Sequence, residues 1–178
     1  MSLLDQLGGI LQQYAGGQQP QAPPAQVDQH FEQVANAAPK QEVAQGLASA
    51  FRSNQTPAFG SMLGSLFQRS DPNQRAGILN TLLHSVSAGG AMQSMGGAGG
   101  LGSLLGMFGL TGGQVTPQQA QQVPPEAVEK IATEAEKHDP SVVDRASQFY
   151  AEHPQAVKAL GGLALAMVIG HIANNQRR

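Results

Sequence analysis

The sequence predicts an all-α fold: a bundle of short helices with flexible Gly/Gln/Pro-rich linkers and a C-terminal apolar helix. Three observations lead there. Apolar residues recur at i, i+3, i+4 and i+7 in one segment after another. Proline follows a capping residue at several segment starts, where its preset φ suits the first helical turn and its missing N–H costs nothing. No stretch shows the period-2 alternation of a half-buried strand.

Residues 1–15 read as an apolar N-terminal helix, with Leu3, Leu4, Leu7, Ile10, Leu11 and Tyr14 on one stripe and Ser2 as its cap. Residues 16–26 are Gly, Gln and Pro with almost nothing to bury, and read as a flexible linker. Residues 27–86 read as a four-helix bundle. Asp28 caps a turn with Phe31 and Val34, and Pro39 opens a helix with Val43, Leu47 and Phe51. Thr56-Pro57 opens one with Phe59, Met62, Leu63, Leu66 and Phe67, and Asp71-Pro72 opens one with Ile78, Leu79, Leu82, Leu83 and Val86.

Residues 87–122 change character and read as a Gly/Gln-rich linker holding one apolar segment, 101–110, LGSLLGMFGL. Each glycine there costs about 1 kcal/mol relative to alanine inside a helix, so this run needs neighbours to hold it. Residues 123–178 recover order as a C-terminal helical region. A helix from Pro125 to about His138 carries Val128, Ile131, Ala132 and Ala135, with Glu126 and Lys130 spaced i, i+4. Asp139-Pro140 opens a helix with Val142, Val143, Ala146, Phe149 and Tyr150, and His153-Pro154 opens the last, PQAVKALGGLALAMVIGHIA. The Thr/Asp-Pro starts at 56, 71, 116 and 139 are unevenly spaced, so they are shared capping chemistry and not a repeat.

Composition narrows the function. Aromatics are 4% of the 178 residues and Trp is absent, so the helices have few large groups to bury. At ~25 cal/mol per Å² of buried apolar surface, a thin core leaves little surplus over conformational entropy, which favours gaining burial from another copy or a membrane. A homo-oligomer is therefore expected. Charged residues are 12% and the net charge is -2, with no basic surface to neutralise a phosphate backbone, which disfavours nucleic acid as a partner. The absence of Cys removes disulfides and thiolate chemistry. The start, MSLLD, lacks the basic and apolar regions of a secretion signal, so a cytoplasmic location is expected.

No motif points to a catalytic, cofactor or metal site. Gly97 to Gly102 matches G-x-G-x-x-G in form, but lacks the preceding strand and the acid about 20 residues on that a dinucleotide site requires. His30, His84, His138, His153 and His171 show no ligand spacing beyond Glu134 with His138, and one pair does not hold a metal. No G-x-S-x-G elbow occurs. An enzyme is not expected.

The C-terminal helix carries Gly162, Ala166 and Gly170 four apart, a smooth ridge that lets another helix approach closely. Its near-uncharged run, Ala159 to Ala173, is shorter than the ~20 residues that span a bilayer. Lys158, Arg177 and Arg178 flank it at positions suited to the two interfaces, which keeps membrane contact through residues 154–176 open.

The opening MSLLDQLGGILQQY, the Gly/Gln-rich linkers and LGSLLGMFGL resemble the bacterial YidB-like family, while AFRSNQTPAFGSMLGSLF and HDPSVVDRASQFYAEHP resemble a group of proteobacterial proteins. The resemblance implies an all-helical cytosolic bacterial protein with a helical arrangement similar to a homeodomain-like motif. That motif would imply DNA, but the cations from Val27 to Val86 are only Lys40, Arg52, Arg69 and Arg75, spread over separate helices and connections. The resemblance carries no catalytic residues.

The leading expectation is a non-enzymatic bacterial self-assembling or scaffold protein. Its self-association residues would be Leu3, Leu7, Ile10, Leu11 and Tyr14 on the arm, Leu104, Leu105 and Phe108 in the apolar run, and Gly162, Ala166 and Gly170 on the ridge. The alternatives are a membrane-associated adaptor anchored by 154–176 and, behind it, a DNA-binding helical protein.

Overall fold

The computed structural model describes residues 3–14, 24–88, 101–110 and 113–175. Among these the fold is all-α, without a strand. The helices are α1 Leu3–Tyr14, α2 Pro24–Ala37, α3 Lys40–Phe51, α4 Phe59–Arg69, α5 Pro72–Ala88, α6 Leu101–Met107, α7 Pro117–Gln122, α8 Pro125–His138, α9 Val142–Ala151, α10 Pro154–Val157 and α11 Gly162–Asn175. A single 3-10 turn, Lys158–Leu160, separates the last two.

The chain forms two compact units. The first joins Met1–Thr56 to Ser147–Arg178, and the second is Pro57–Ala146. These units cut the expected 27–86 bundle after Thr56. The physical reason lies in where the apolar faces of α2 and α3 find cover: both pack on α11, more than 100 residues further along the chain. Short local helices with thin apolar stripes gain more from α11, which is apolar nearly all round, than from any neighbour of similar thinness.

In the first unit, Val27, Phe31 and Val34 of α2, Val43, Leu47 and Phe51 of α3, and Leu165, Val168, Ile169 and Ile172 of α11 are buried. The α3 and α11 backbones come close at Gly46, where a Cβ would stand 2.9 Å from Val168 Cγ1 and 3.1 Å from the Val168 carbonyl oxygen. The single C-terminal helix expected from Pro154 is broken. Gly161 stands at φ 81°, ψ 164°, a conformation that only glycine adopts without strain, so α11 starts afresh at Gly162.

In the second unit, α4 packs on α8, and α5 packs on both α7 and α8. Side-chain caps open two of its helices, α5 and α7. Asp71 Oδ1 accepts from the backbone N–H groups of Asn73 and Gln74, and Gln74 Oε1 accepts from Asp71 N. Thr116 and Gln119 form the same reciprocal box and open α7 inside the stretch read as linker. Two starts differ from expectation. Helix α2 begins at Pro24, whose fixed φ suits the first turn, which leaves Asp28 within the helix. Helix α4 begins at Phe59 because the Thr56 hydroxyl turns back to the carbonyls of Ala50 (2.5 Å) and Ser53 (3.0 Å) and does not cap forward.

Candidate functional site

The residues expected to self-associate fall at three places. On α1 the side chains of Leu3 and Leu7 lie outside the described residues, Ile10 and Leu11 are half-buried, and Tyr14 is 4% exposed. Tyr14 meets His30 of α2 edge to face, with ring centroids 5.8 Å apart, and its hydroxyl is hydrogen-bonded to His30 Nδ1 at 3.1 Å. Burial pushes the Tyr14 phenol above its usual pKa, because the phenolate would lose hydration there.

The ridge on α11 lies in the same unit. Ala166 is buried, while Gly162 and Gly170 are half-buried. A Cβ on Gly170 would stand 3.2 Å from the Tyr14 carbonyl oxygen, so the missing side chain is what admits the end of α1. The structure thus brings Tyr14 and Gly170 together within one copy. The flank of the same helix leaves Leu163 39% exposed, and Met167 is half-buried.

The apolar run lies in the second unit. Leu104's side chain is outside the described residues, Leu105 is 3% exposed and Phe108 is half-buried. The run ends in a Schellman motif: Leu110 N donates to Leu105 O (2.7 Å) and Gly109 N to Gly106 O (3.1 Å), with Gly109 at φ 66°. One of its glycines is therefore a stop signal and not a weakness, and the buried pair Leu105 and Leu110 supplies the apolar contact such caps carry. Met107, about 200° around the helix from Leu105, is 73% exposed.

A cavity of about 390 Å³ lies between α5 and the run, with Leu83, Val86, Leu105 and Leu110 on its walls and His84 and Gln114 among its polar groups. Asn80, which also lines it, is occupied. Its Oδ1 accepts from Val115 N (2.7 Å) and its Nδ2 donates to Val115 O (3.2 Å), fixing the chain ahead of α7.

Arg75, Arg145, Lys158 and Lys137 have partners within their own unit. Arg75 donates from Nε to the carbonyls of Phe67 and Ser70 and from a terminal nitrogen to that of Gln68, closing the end of α4 with its guanidinium 5.2 Å from the Phe67 ring centre. Arg145 donates to Ser85, Ser141 and Asp139. The Ser141 hydroxyl, with Arg145 behind it, holds the Asp139 carboxyl below its usual pKa. Lys158 Nζ donates to Glu32 Oε2 at 2.6 Å and, with Gln155, holds that carboxyl low. Glu134 pairs with Lys137 at 2.7 Å, and no group of three His, Asp or Glu side chains among the described residues is placed to hold a metal ion.

No helix among the described residues is long and apolar enough to cross a membrane. Helix α11 has 14 residues, about 21 Å at 1.5 Å per residue against a hydrocarbon core of about 30 Å.

Besides Gly46, the close-packing glycines that sequence reasoning missed are Gly60 and Gly64 on α4. A Cβ at Gly60 would collide with Thr133 Oγ1 and stand 2.7 Å from Glu129 O, and one at Gly64 would stand 3.2 Å from Pro125 O. Their four-residue spacing was the available signal, the same spacing that marks the ridge on α11.

No protein-family model, curated protein or solved structure matches this chain.

Proposed function

We propose that this protein is a non-enzymatic self-assembling or scaffold protein of bacterial type, working by helix–helix packing between copies. One observation carries the reading. The large hydrophobic side chains left exposed among the described residues, Met107 and Leu163, both belong to segments whose sequence pattern points to self-association. On burial Met107, 73% exposed, gains about 1.5–3 kcal/mol at most and Leu163, 39% exposed, gains less, so a two-fold contact that uses both twice supports weak, concentration-dependent association and not a permanent complex. The internal partners of Arg75 and Arg145 support this reading over duplex binding, and the length of α11 supports it over bilayer anchoring.

Light scattering on the full chain, with Met107→Lys and Leu163→Lys made singly and together, tests it. The wild type is expected to scatter as a multiple of 18.5 kDa at high micromolar concentration, and the double variant to fall to one copy. Assembly unaffected by both lysines defeats the reading.

A further inference from the structure

We propose that the slot between α5 and α6 binds a small uncharged amphiphile, an aliphatic chain ending in a hydroxyl or an amide. Binding there needs no second copy of the chain.

The slot follows from how the second unit packs. Helices α5 and α6 both lean on α8, and between them a cavity of about 390 Å³ stays open, within the size range of small-molecule sites. Leu83 and Val86 of α5, three residues apart and so on one face, form one wall, and Leu105 and Leu110 form the other. A void of this kind forfeits dispersion contacts for every apolar atom around it, so a packed interior closes over it unless something holds the walls apart.

A chain of hydrogen bonds holds them apart. Asn80 of α5 clasps both backbone groups of Val115, and the next residue, Thr116, shares its capping box with Gln119. Gln119 Nε2 then donates to Gly109 O at 3.1 Å, and Leu110 N donates to Leu105 O at 2.7 Å. The links run from α5 through the start of α7 to the end of α6, so the two walls stand at a fixed separation. A site arranged before its ligand arrives loses less ordering entropy on binding it.

The lining sets the chemistry of the ligand. It contains no Asp, Glu, Lys or Arg, and its one titratable group is His84. Asn80 is committed to Val115, which leaves His84 and Gln114, both exposed at the mouth, to meet a polar head. The amide offers donors and an acceptor, and a neutral imidazole offers one of each. A carboxylate or ammonium head would leave water with no permanent opposite charge on the lining to meet it, so the head is uncharged. At about 30 Å³ per water-sized group, 390 Å³ holds roughly a dozen such groups, and octanol fills it without crowding.

Octanol titrated into the isotope-labelled full-length chain tests the site through amide chemical shifts. Shifts are expected at Val86, Leu105 and Leu110. From butanol to octanol the affinity should rise about fourfold per methylene, the factor for ~0.8 kcal/mol, and level off with longer alcohols as the slot fills. Leu83→Trp fills the slot from α5 and should weaken octanol binding about tenfold or more, with circular dichroism to check its helices and Leu83→Phe as the milder variant. Octanoate at pH 8 should bind at least about tenfold more weakly than octanol. No shift at Leu105 and Leu110 up to the solubility limit of octanol overturns the site, as does an affinity that climbs with chain length without a ceiling or one that Leu83→Trp leaves unchanged. Octanoate binding as tightly as octanol overturns the uncharged head.

Discussion

Gly60→Ala adds one methyl group where α4 crosses α8. The new Cβ would collide with Thr133 Oγ1 and lie 2.7 Å from Glu129 O, and neither atom is free to yield. The Thr133 hydroxyl donates to that same Glu129 carbonyl at 2.8 Å, so turning it away breaks a bond, and the carbonyl belongs to the α8 backbone. The helices must part. With a backbone atom opposite and no side chain able to yield, overpacking falls in the upper part of its usual range, about 2–3 kcal/mol, and the better helix propensity of alanine returns about 1 kcal/mol, so a net loss of about 1–2 kcal/mol is expected. At about 2–4 °C per kcal/mol for a chain of this size, Tm should fall by about 2–8 °C. Gly106→Ala is the control, because a Cβ there meets nothing within 4 Å, and it should gain up to about 1 kcal/mol. Thermal and urea unfolding of the full chain by circular dichroism measure both. A Gly60→Ala protein as stable as wild type would refute the close crossing.

Further perturbations probe other joints of the fold. Asn80→Ala leaves both backbone groups of Val115 without their side-chain partner, which should cost about 1–3 kcal/mol and speed hydrogen exchange at Val115. Gly161→Ala forces a Cβ onto φ 81°, ψ 164°, and should cost about 1–3 kcal/mol in urea unfolding, whereas a neutral result would mean α10 and α11 join differently. The Glu32 carboxyl is held below its ordinary value of 4.5 by Lys158, so its contribution is present above that value and lost as pH falls through the lowered one. Glu32→Gln should therefore be less stable than wild type at neutral pH, with the gap closing in acid. A gap that widens on acidification contradicts the sign.

Much of the architecture is legible in the sequence. The 3.6-residue apolar pattern and the proline-led starts point to helices, and α8 begins and ends where Pro125 and His138 place it. What cannot be read is partner choice. Periodicity marks an apolar face on α2 and α3, but which distant helix covers that face depends on shape, and α11 does so partly through the missing side chain at Gly46. Glycine plays several distinct roles in this chain. The same type weakens α1 at Gly8 and Gly9, stops α6 at Gly109, breaks the last helix at Gly161 and admits a neighbour at Gly60. Composition alone does not separate these roles, because they differ in φ and in what lies opposite. Of the candidate association residues, Tyr14, Leu105 and Ala166 are buried within the chain's own units, while the exposed Met107 and Leu163 are neighbours of residues singled out by spacing. A stripe shows that a face is apolar and is silent on which copy covers it.

Sedimentation equilibrium of the unmodified full-length chain, from low to high micromolar concentration, is the most direct trial of assembly by helical packing. The weight-average mass should climb from 18.5 kDa towards at least twice that value as concentration rises. A mass that stays at 18.5 kDa across the whole range would contradict it.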